Sequence, residues 1–591
     1  MPPFDCQFCV GPNSQAASSH RLNAITSQDA APKFNAANSN ANCYFLTKLE
    51  STSMKDLKLW FCAAVLLLAV FQFSENTVDP DLWGHIVFGQ HMLHSSAIPK
   101  TDIYSWTAQG QPWINHEWGA EIILALFYTA WGGSGILLLK MVVGLAAFAV
   151  CLRLGAQSLS WPARFVAWGF AALAVVEISY GFAARPQIFT ALFLSLELLL
   201  LQQIHSGKRL WMLAFPILFL VWINTHGGVL AGLGLLGLAA GATTAQLAWE
   251  KGRNLMAGIS SSESADKQAM RTPLSLWLAV IAAGVAMLCN PWGMGLLRWL
   301  IGSVLWMRPQ IAEWNSTPLG WNHAAFFIVL ALSVFSWAFT RQKRAWWELA
   351  VCAAFALLGL RAIRNTSLFC LVALALVPPH LSSALARFRR HFEHLEAVGH
   401  HDNFQKFATV LFAGITVGIG VATFTLHKEH PLTMEVPRSE YPTGAIDFLR
   451  KYQLHGRMLA FFDWGEMVIF RLPGCPPSLD GRLDTCYSRE LIAAHWKFYN
   501  GEPFDEKLLD IDRADLALLP AHLAGTVALA HRPGWTVVYY DDLAVILARD
   551  AGRFPQLQPL SLPVVGPRSA VLGRAPFPQH SPHWPAEQSG R

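Results

Sequence analysis

Charge is what this chain has least of. Asp, Glu, Lys and Arg make up only 14% of its 591 residues against 53% hydrophobic. With a mean hydropathy of +0.33, that balance excludes a soluble globular protein of this length. Cysteine is sparse too: ten in so long a chain build no disulfide framework, and Cys62, Cys151 and Cys370 lie inside apolar runs as small hydrophobes. Absent as well is the basic start and cleavable apolar core of a signal peptide. Residues 1–53, rich in Asn, Ser and Ala without apolar periodicity, read as a disordered tail, and Met54-Lys55-Asp56-Leu57-Lys58 looks like a natural start. Cys6-Gln7-Phe8-Cys9 has the spacing of half a zinc site, but no second Cys/His pair follows at the usual distance, so no metal is expected there.

What the chain has instead is a series of apolar runs of about 15–22 residues, long enough to cross a bilayer core. They fall near 57–74, 134–153, 161–182, 186–204, 208–224, 228–249, 273–290, 321–340, 345–360, 365–379 and 406–426. The expected fold class is therefore a polytopic α-helical membrane protein of about eleven spans. Basic residues collect at Arg153/Arg164, Lys208-Arg209, Lys251 to Arg271, Arg341 to Arg344 and Arg387 to Arg390, which makes those loops cytoplasmic. The apolar stretch Glu117 to Trp131 is short, and as a full span it would invert every later loop; it reads as a helix lying in or near the outer interface.

That topology puts the unusual loops together on the outer face: Asp79 to Trp118, Arg185-Pro186-Gln187, Asn224 to Gly228, Asn290 to Gly293, Arg308 to Trp314 and Arg361 to Asn365. Four segments follow: the tail 1–53, a transmembrane domain 54–429 with its first outer loop at 75–133, an extracytoplasmic α/β domain 430–552, and a disordered Pro-rich tail 553–591. In the α/β domain, Tyr441 to Tyr452 predicts a helix and Gly456 to Phe462 a buried strand. Gly465 to Arg471 predicts a helix or strand, Pro477 to Leu483 and Ala514 to Leu519 further strands, and Trp535 to Tyr540 with Leu543 to Ala548 a hairpin. Cys475 and Cys486 lie in this domain, where an oxidising compartment would permit a bridge. The His-rich stretch Arg387 to Asp402 reads as a solvated cytoplasmic linker.

The first outer loop carries Asp79-Pro80-Asp81-Leu82-Trp83-Gly84-His85 and closes with Trp113-Ile114-Asn115-His116-Glu117-Trp118. One aspartate can cap the helix that starts there; alternatively a carboxylate at the water–lipid boundary acts as general base or holds a divalent cation. Asp79, Asp81 and His85 are the ligand candidates, and Mg or Mn the candidate cofactor. Trp106, Trp113 and Trp118 suit interfacial anchoring or the face of a sugar. Arginine at outer ends of spans runs against the usual bias, and Arg185, Arg308, Arg361 and Arg364 fit a lipid phosphate, with snorkelling or pairing to Glu313 as the plainer alternative. The spacing of Arg361 and Arg364 puts them on one helical face. Glu177 and Glu197, inside spans, must face protein or water, each a candidate partner of Lys140.

A first outer loop with Asp-x-Asp, many spans and a soluble C-terminal domain on the same side resembles the GT-C superfamily of integral-membrane glycosyltransferases. Within it, Asp79 to His85, Ile98-Pro99-Lys100-Thr101-Asp102 with Ser105 and Thr107, and Trp113 to Trp118 are similar to bacterial members related to the glycosyltransferase-39/RgtA-like group. Phe462-Asp463-Trp464-Gly465 distantly resembles the Trp-Trp-Asp-Tyr-Gly motif of oligosaccharyltransferases without its double Trp and Tyr, so sequon recognition is not implied. The resemblance implies inverting transfer of a sugar from a polyprenyl-phosphate donor, on the outer face of a bacterial inner membrane, to a glycan, lipid or protein acceptor, with membrane lipid and no nucleic acid as partner. Asp79 or Asp81 would be the base and Arg361 or Arg364 would hold the lipid phosphate. Asp463, Trp464, Asp480 and Arg482 would line the domain's side of the cleft, and Trp83, His85, Asp102, His116, Glu117 and Arg185 would complete the substrate site. The competing classes are a transporter or lipid flippase, for which no inverted repeat is evident, and a non-catalytic scaffold, for which so many spans are extravagant.

Overall fold

The structure, a computed structural model, describes residues 36–258, 263–306, 308, 310–392, 401–425, 429–560 and 574–579. Cys6, Cys9, His394 and His400 lie outside them. The membrane region comprises α1 (Ala36–Phe73), α2 (Leu82–Ser95), α3 (Trp118–Ala156), α4 (Trp161–Tyr180), α5 (Gln187–His205), α6 (Ala214–Ile223), α7 (Val229–Met256), α8 (Glu263–Ala286), α9 (Met294–Leu305), α10 (Ala324–Phe339), α11 (Trp346–Arg361), α12 (Thr366–Leu376), α13 (Pro378–Phe392) and α14 (His401–Thr425).

Each of the eleven apolar runs lies on a helix. Among the described residues eight helices are long and apolar enough to cross a membrane, or nine if the pair Ile363–Leu376 and Pro378–Phe388, bent by 62°, is one span. Three runs fall short: the 345–360 run gives only the 16 residues of α11, and the other two have local causes. The run at 208–224 begins as a 3-10 turn, Arg209–Leu213, before the ten residues of α6. The 365–379 run breaks at Pro378-Pro379, where proline cannot continue the hydrogen-bond ladder of the preceding turn. Leu59, Ile281, Val334 and Val417 are exposed on their helices, a surface at home in lipid. The chain is a multi-pass membrane protein.

Inside α3, Gly132 takes φ 58° and ψ −144°, a conformation only glycine adopts without strain. The break divides the short apolar stretch from the span after it, and the first half of α3 packs along α2. Helix α2 is buried over Leu82 to Gly89, held between α3 and the soluble domain.

That domain follows β1 (Glu435–Pro437) with α15 (Thr443–Lys451), β2 (Met458–Ala460), α16 (Gly465–Arg471), α17 (Arg489–Asn500), α18 (Glu506–Leu509), β3 (Leu516–Pro520), α19 (Ala524–Ala530), β4 (Trp535–Tyr540), β5 (Ala544–Arg549) and β6 (Arg574–Pro576). The sheet order is β2-β3-β5-β4, with β2 and β3 parallel and the other pairs antiparallel. The hairpin turns at Asp541, whose Oδ1 accepts the N–H groups of Leu543 (2.9 Å) and Ala544 (2.8 Å).

Five expectations change. Pro477 to Leu483 is not a strand: only a bridge from Pro477 to Met458 forms, because Pro476-Pro477 supply no ladder donors. Cys475 and Cys486 are free, buried thiols. The tail after 553 contributes β6, paired antiparallel with β1, and α1 begins at Ala36, inside the expected N-terminal tail. Lys140 donates to the Glu75 carbonyl, and Glu177 meets His323 at 3.0 Å.

Candidate active site

Asp79 and Asp81 bracket Pro80 at the start of α2. Asp79 Oδ1 accepts the Asp81 N–H (3.0 Å), while Asp81, at the N-cap position, makes no side-chain cap. Capping is done from the soluble domain: Glu466 Oε2 accepts the Gly84 N–H at 3.1 Å. Asp81 is thereby left to face a guanidinium. Arg185 Nε pairs with Asp79, and its Nη1 lies 3.4 Å from Asp81 Oδ2 and 3.5 Å from Glu313 Oε1. Glu313 continues to Arg364 at 3.6 Å, and Trp314 carries Arg308 and Arg364 at 4.6 and 4.4 Å from its ring. Side-chain exposure is 9% for Asp79 and 26% for Asp81, so Asp81 is the carboxylate a substrate can reach. Burial lifts its pKa to about 7 against the pull of Arg185, with Asp79 and Glu313 pushing the same way as burial.

A second cluster adjoins it. Glu117 Oε1 lies 3.5 Å from both His116 Nε2 and His226 Nε2. His226 Nδ1 faces two donors, the Gly228 N–H (3.0 Å) and the Thr190 hydroxyl (2.7 Å), which assigns its proton to Nε2, towards Glu117. Burial drives the His226 imidazole down to about 3, leaving it neutral. His85 Nδ1 sits 3.2 Å from Glu121 Oε1, whose other oxygen accepts from Asn115 (2.6 Å). Burial pulls His85 down, but Glu121 and Glu117 outweigh it and its pKa stands above the ordinary value.

A third cluster joins the loop to the soluble domain. Arg482 donates to both oxygens of Asp480 (2.8 and 2.7 Å) and to Asp102 (2.5 Å), and Tyr487 donates to Asp480 at 2.6 Å. Phe88, Tyr104, Trp113 and Tyr487 surround the guanidinium at 5.0–5.7 Å.

No protein-family model matches the sequence, and no curated protein matches it. Among solved structures, the archaeal oligosaccharyltransferase AglB from Archaeoglobus fulgidus, in complex with an inhibitory peptide and a dolichol-phosphate, aligns with a TM-score of 0.52 at 11% identity over 82% of this chain and 73% of that one. The chain shares the fold of AglB. ArnT from Cupriavidus metallidurans bound to undecaprenyl phosphate gives a TM-score of 0.45 at 14% identity, over 83% of this chain and 97% of that chain. Its apo state gives 0.44 with the same identity and shares.

Within this fold some of the expected site residues converge and others do not. Asp79, Asp81 and Arg185 converge with Arg364, and His116 and Glu117 stand beside them. Asp102, Asp480 and Arg482 are buried and satisfied by one another, so they fasten loop to domain and line no open cleft. Trp83 is fully buried with its ring 4.5 Å from Phe577; Trp106, Trp118 and Trp464 spend their indole N–H groups on Met458 O, Asn224 Oδ1 and Glu440 O. Trp83 and Trp464 are buried, so their rings present no open face, while Trp106 and Trp118 are half-buried. Asp463 is exposed near Asp79. Arg361 and Arg364 do not share a helical face: α11 ends at Arg361 and Ala362 is extended at φ −149°. Arg361 is exposed, with no carboxylate partner among the described residues.

Three functional positions escaped the sequence reading. Glu466 directly follows the Asp463-Trp464-Gly465 run and was the one with a visible signal; Thr190 and Tyr487 had none. Asp79 and Asp81 do not fit a metal ion as they stand, because Arg185 occupies both; His85, with Nδ1 on Glu121, offers Nε2 alone. Among the described residues no three His, Cys, Asp or Glu side chains are grouped to hold one.

Proposed function

We propose that this chain is an inverting membrane glycosyltransferase, moving a sugar from a polyprenyl-phosphate donor to an envelope acceptor on the outer face of a bacterial inner membrane. The observation that carries the reading is Asp81: a partly exposed carboxylate with a pKa of about 7, set where loop, bundle and soluble domain meet beside a row of arginines. A general base works best when its pKa lies near the operating pH. The acceptor oxygen forms its bond to the anomeric carbon as the carbon–oxygen bond to phosphate breaks. Asp81 takes the acceptor's proton, and the electron pair leaves on the polyprenyl phosphate. Attack from the face opposite the leaving group inverts the anomeric centre.

The leaving phosphate is assigned to Arg361, which has no competing carboxylate, and Arg364, which shares Glu313. A guanidinium grips phosphate through paired hydrogen bonds. The dolichol-phosphate in the AglB complex supports a lipid-linked phosphate as the ligand class. The test is transfer of radiolabelled sugar from polyprenyl-phosphate donors to an extract of envelope acceptors. Folded Asp81→Asn is expected to lose transfer by about 10²–10⁴-fold, the usual worth of a general base. No transfer by the wild type across a broad donor panel, with folding intact, would overturn the reading.

A further inference from the structure

Three carboxylates from two distant parts of the chain meet one guanidinium. Asp79 and Asp81 come from the start of α2, Glu313 from the 3-10 turn Ala312–Trp314, and all lie at Arg185. The arginine is held from behind: its N–H donates to the Ala183 carbonyl (2.8 Å), and its own carbonyl accepts the Ile188 N–H (3.1 Å) at the start of α5. Pro186 stiffens the junction between the two.

The acidic pair is enclosed on its other side as well. A Cβ added at Gly481 would collide with Asp81 Oδ1 and come within 2.7 Å of Glu466 Oε1, so the loop residue there is as close as backbone can come. Asp81 therefore has one oxygen against Gly481 and the other towards Arg185.

We infer that Arg185 fills the position between Asp79, Asp81 and Glu313 that a divalent cation would take, so that the acidic loop of this chain carries its own tethered cation. Charge agrees with geometry. Asp79, Asp81 and Glu313 already face Arg185, and a divalent ion brought in beside it would stand against a like charge in a largely enclosed site, where that is costly. A planar, weakly hydrated guanidinium with a fork of donors is suited to bridging two carboxylates, and no chelator removes it.

Ion binding is read without sugar transfer, so this inference and the proposed reaction fail separately. The full chain, purified in detergent and stripped with chelator, is titrated with Mn²⁺ while the paramagnetic resonance signal of the free ion is followed. The wild type is expected to take up no more Mn²⁺ than the Asp79→Asn, Asp81→Asn double form. Folded Arg185→Gln is expected to remove one further Mn²⁺ per chain from solution, since three carboxylates lose their partner. A Mn²⁺ bound by the wild type and missing from the double form would overturn the inference, as would a folded Arg185→Gln that binds no more than wild type. Should Arg185→Gln not fold, the comparison of wild type with the double form decides alone.

Discussion

Glu466, on the first turn of α16, accepts the backbone N–H of Gly84 in the first turn of α2 at 3.1 Å. A residue of the soluble domain thus completes a helix of the loop 382 positions earlier, and it frees Asp81 from capping.

Glu466 itself is pushed well above the glutamate range by burial first and by Asp81 and Asp480 next, so it holds its proton in the fold. The unfolded chain ionises in the ordinary range while the folded chain does not. The contribution of Glu466 is therefore full below the unfolded value and is lost as pH climbs through the folded one. Glu466→Gln, which keeps an acceptor and cannot ionise, is expected to match wild type in acid and exceed it in alkali. Glu466→Ala, which orphans the Gly84 N–H, is expected to cost about 1–3 kcal/mol relative to Glu466→Gln at any pH. Thermal unfolding of the three proteins across pH checks both.

The base should announce itself in the pH profile of transfer. With Asp81 near 7, the rate falls as pH drops through that value. Removing the Asp79 charge, which helps to lift Asp81, is expected to move the acid limb to lower pH; removing the positive charge of Arg185 is expected to move it to higher pH. A limb unmoved in folded Asp79→Asn and Arg185→Gln would assign the proton transfer to another group.

Arg482 pairs with Asp102 and Asp480, both fully buried. Arg482→Met leaves two buried carboxylates unpaired, a class of change that costs about 3–5 kcal/mol. Arg482→Lys is expected to recover only part of this, having no planar fork to span both acids. The melting temperatures of the two variants give the answer directly.

Glu197 in α5 is fully buried, and neither of its oxygens has a hydrogen-bond partner. An orphaned polar group of this kind costs about 1–3 kcal/mol, so Glu197→Met, of similar length, is expected to raise the melting temperature and leave transfer intact. The closeness of its Oε2 to Gly232 limits how large the replacement can be. Transfer abolished in a stabilised variant would give Glu197 a task in the reaction cycle and strengthen the case for coupled transport.

The sequence made much of this legible, and the misses have physical reasons. Apolar runs report burial and length, so the helices of the bundle were readable; whether a run such as 365–379 continues straight depends on Pro378-Pro379, which the count of apolar residues ignores. Asp79 and Asp81 stood out because carboxylates are rare beside a span. Their partner Arg185 was visible as an anomaly, but its pairing with them joins segments more than a hundred residues apart, which local pattern does not encode. Arg361 and Arg364 show the limit of periodicity: an i, i+3 spacing means a shared face only while the helix lasts, and it stops between them. Asp102, Asp480 and Arg482 have the residue types of a substrate site, and only tertiary burial reveals that they satisfy one another.

The seam at the loop's base is sewn from three remote pieces of chain. Asn76 donates to the carbonyls of His430 and Thr433, Thr77 bridges to Glu435, β1 takes β6 as its partner, and Arg574 reaches back across 497 positions to Thr77 at 3.0 Å. Synthesis proceeds from the other end. A ribosome that has delivered Asp79 and Asp81 still has some five hundred residues to make before their final support emerges. The acidic loop therefore waits unfinished until β6 has been made, since contacts of such long sequence separation form late.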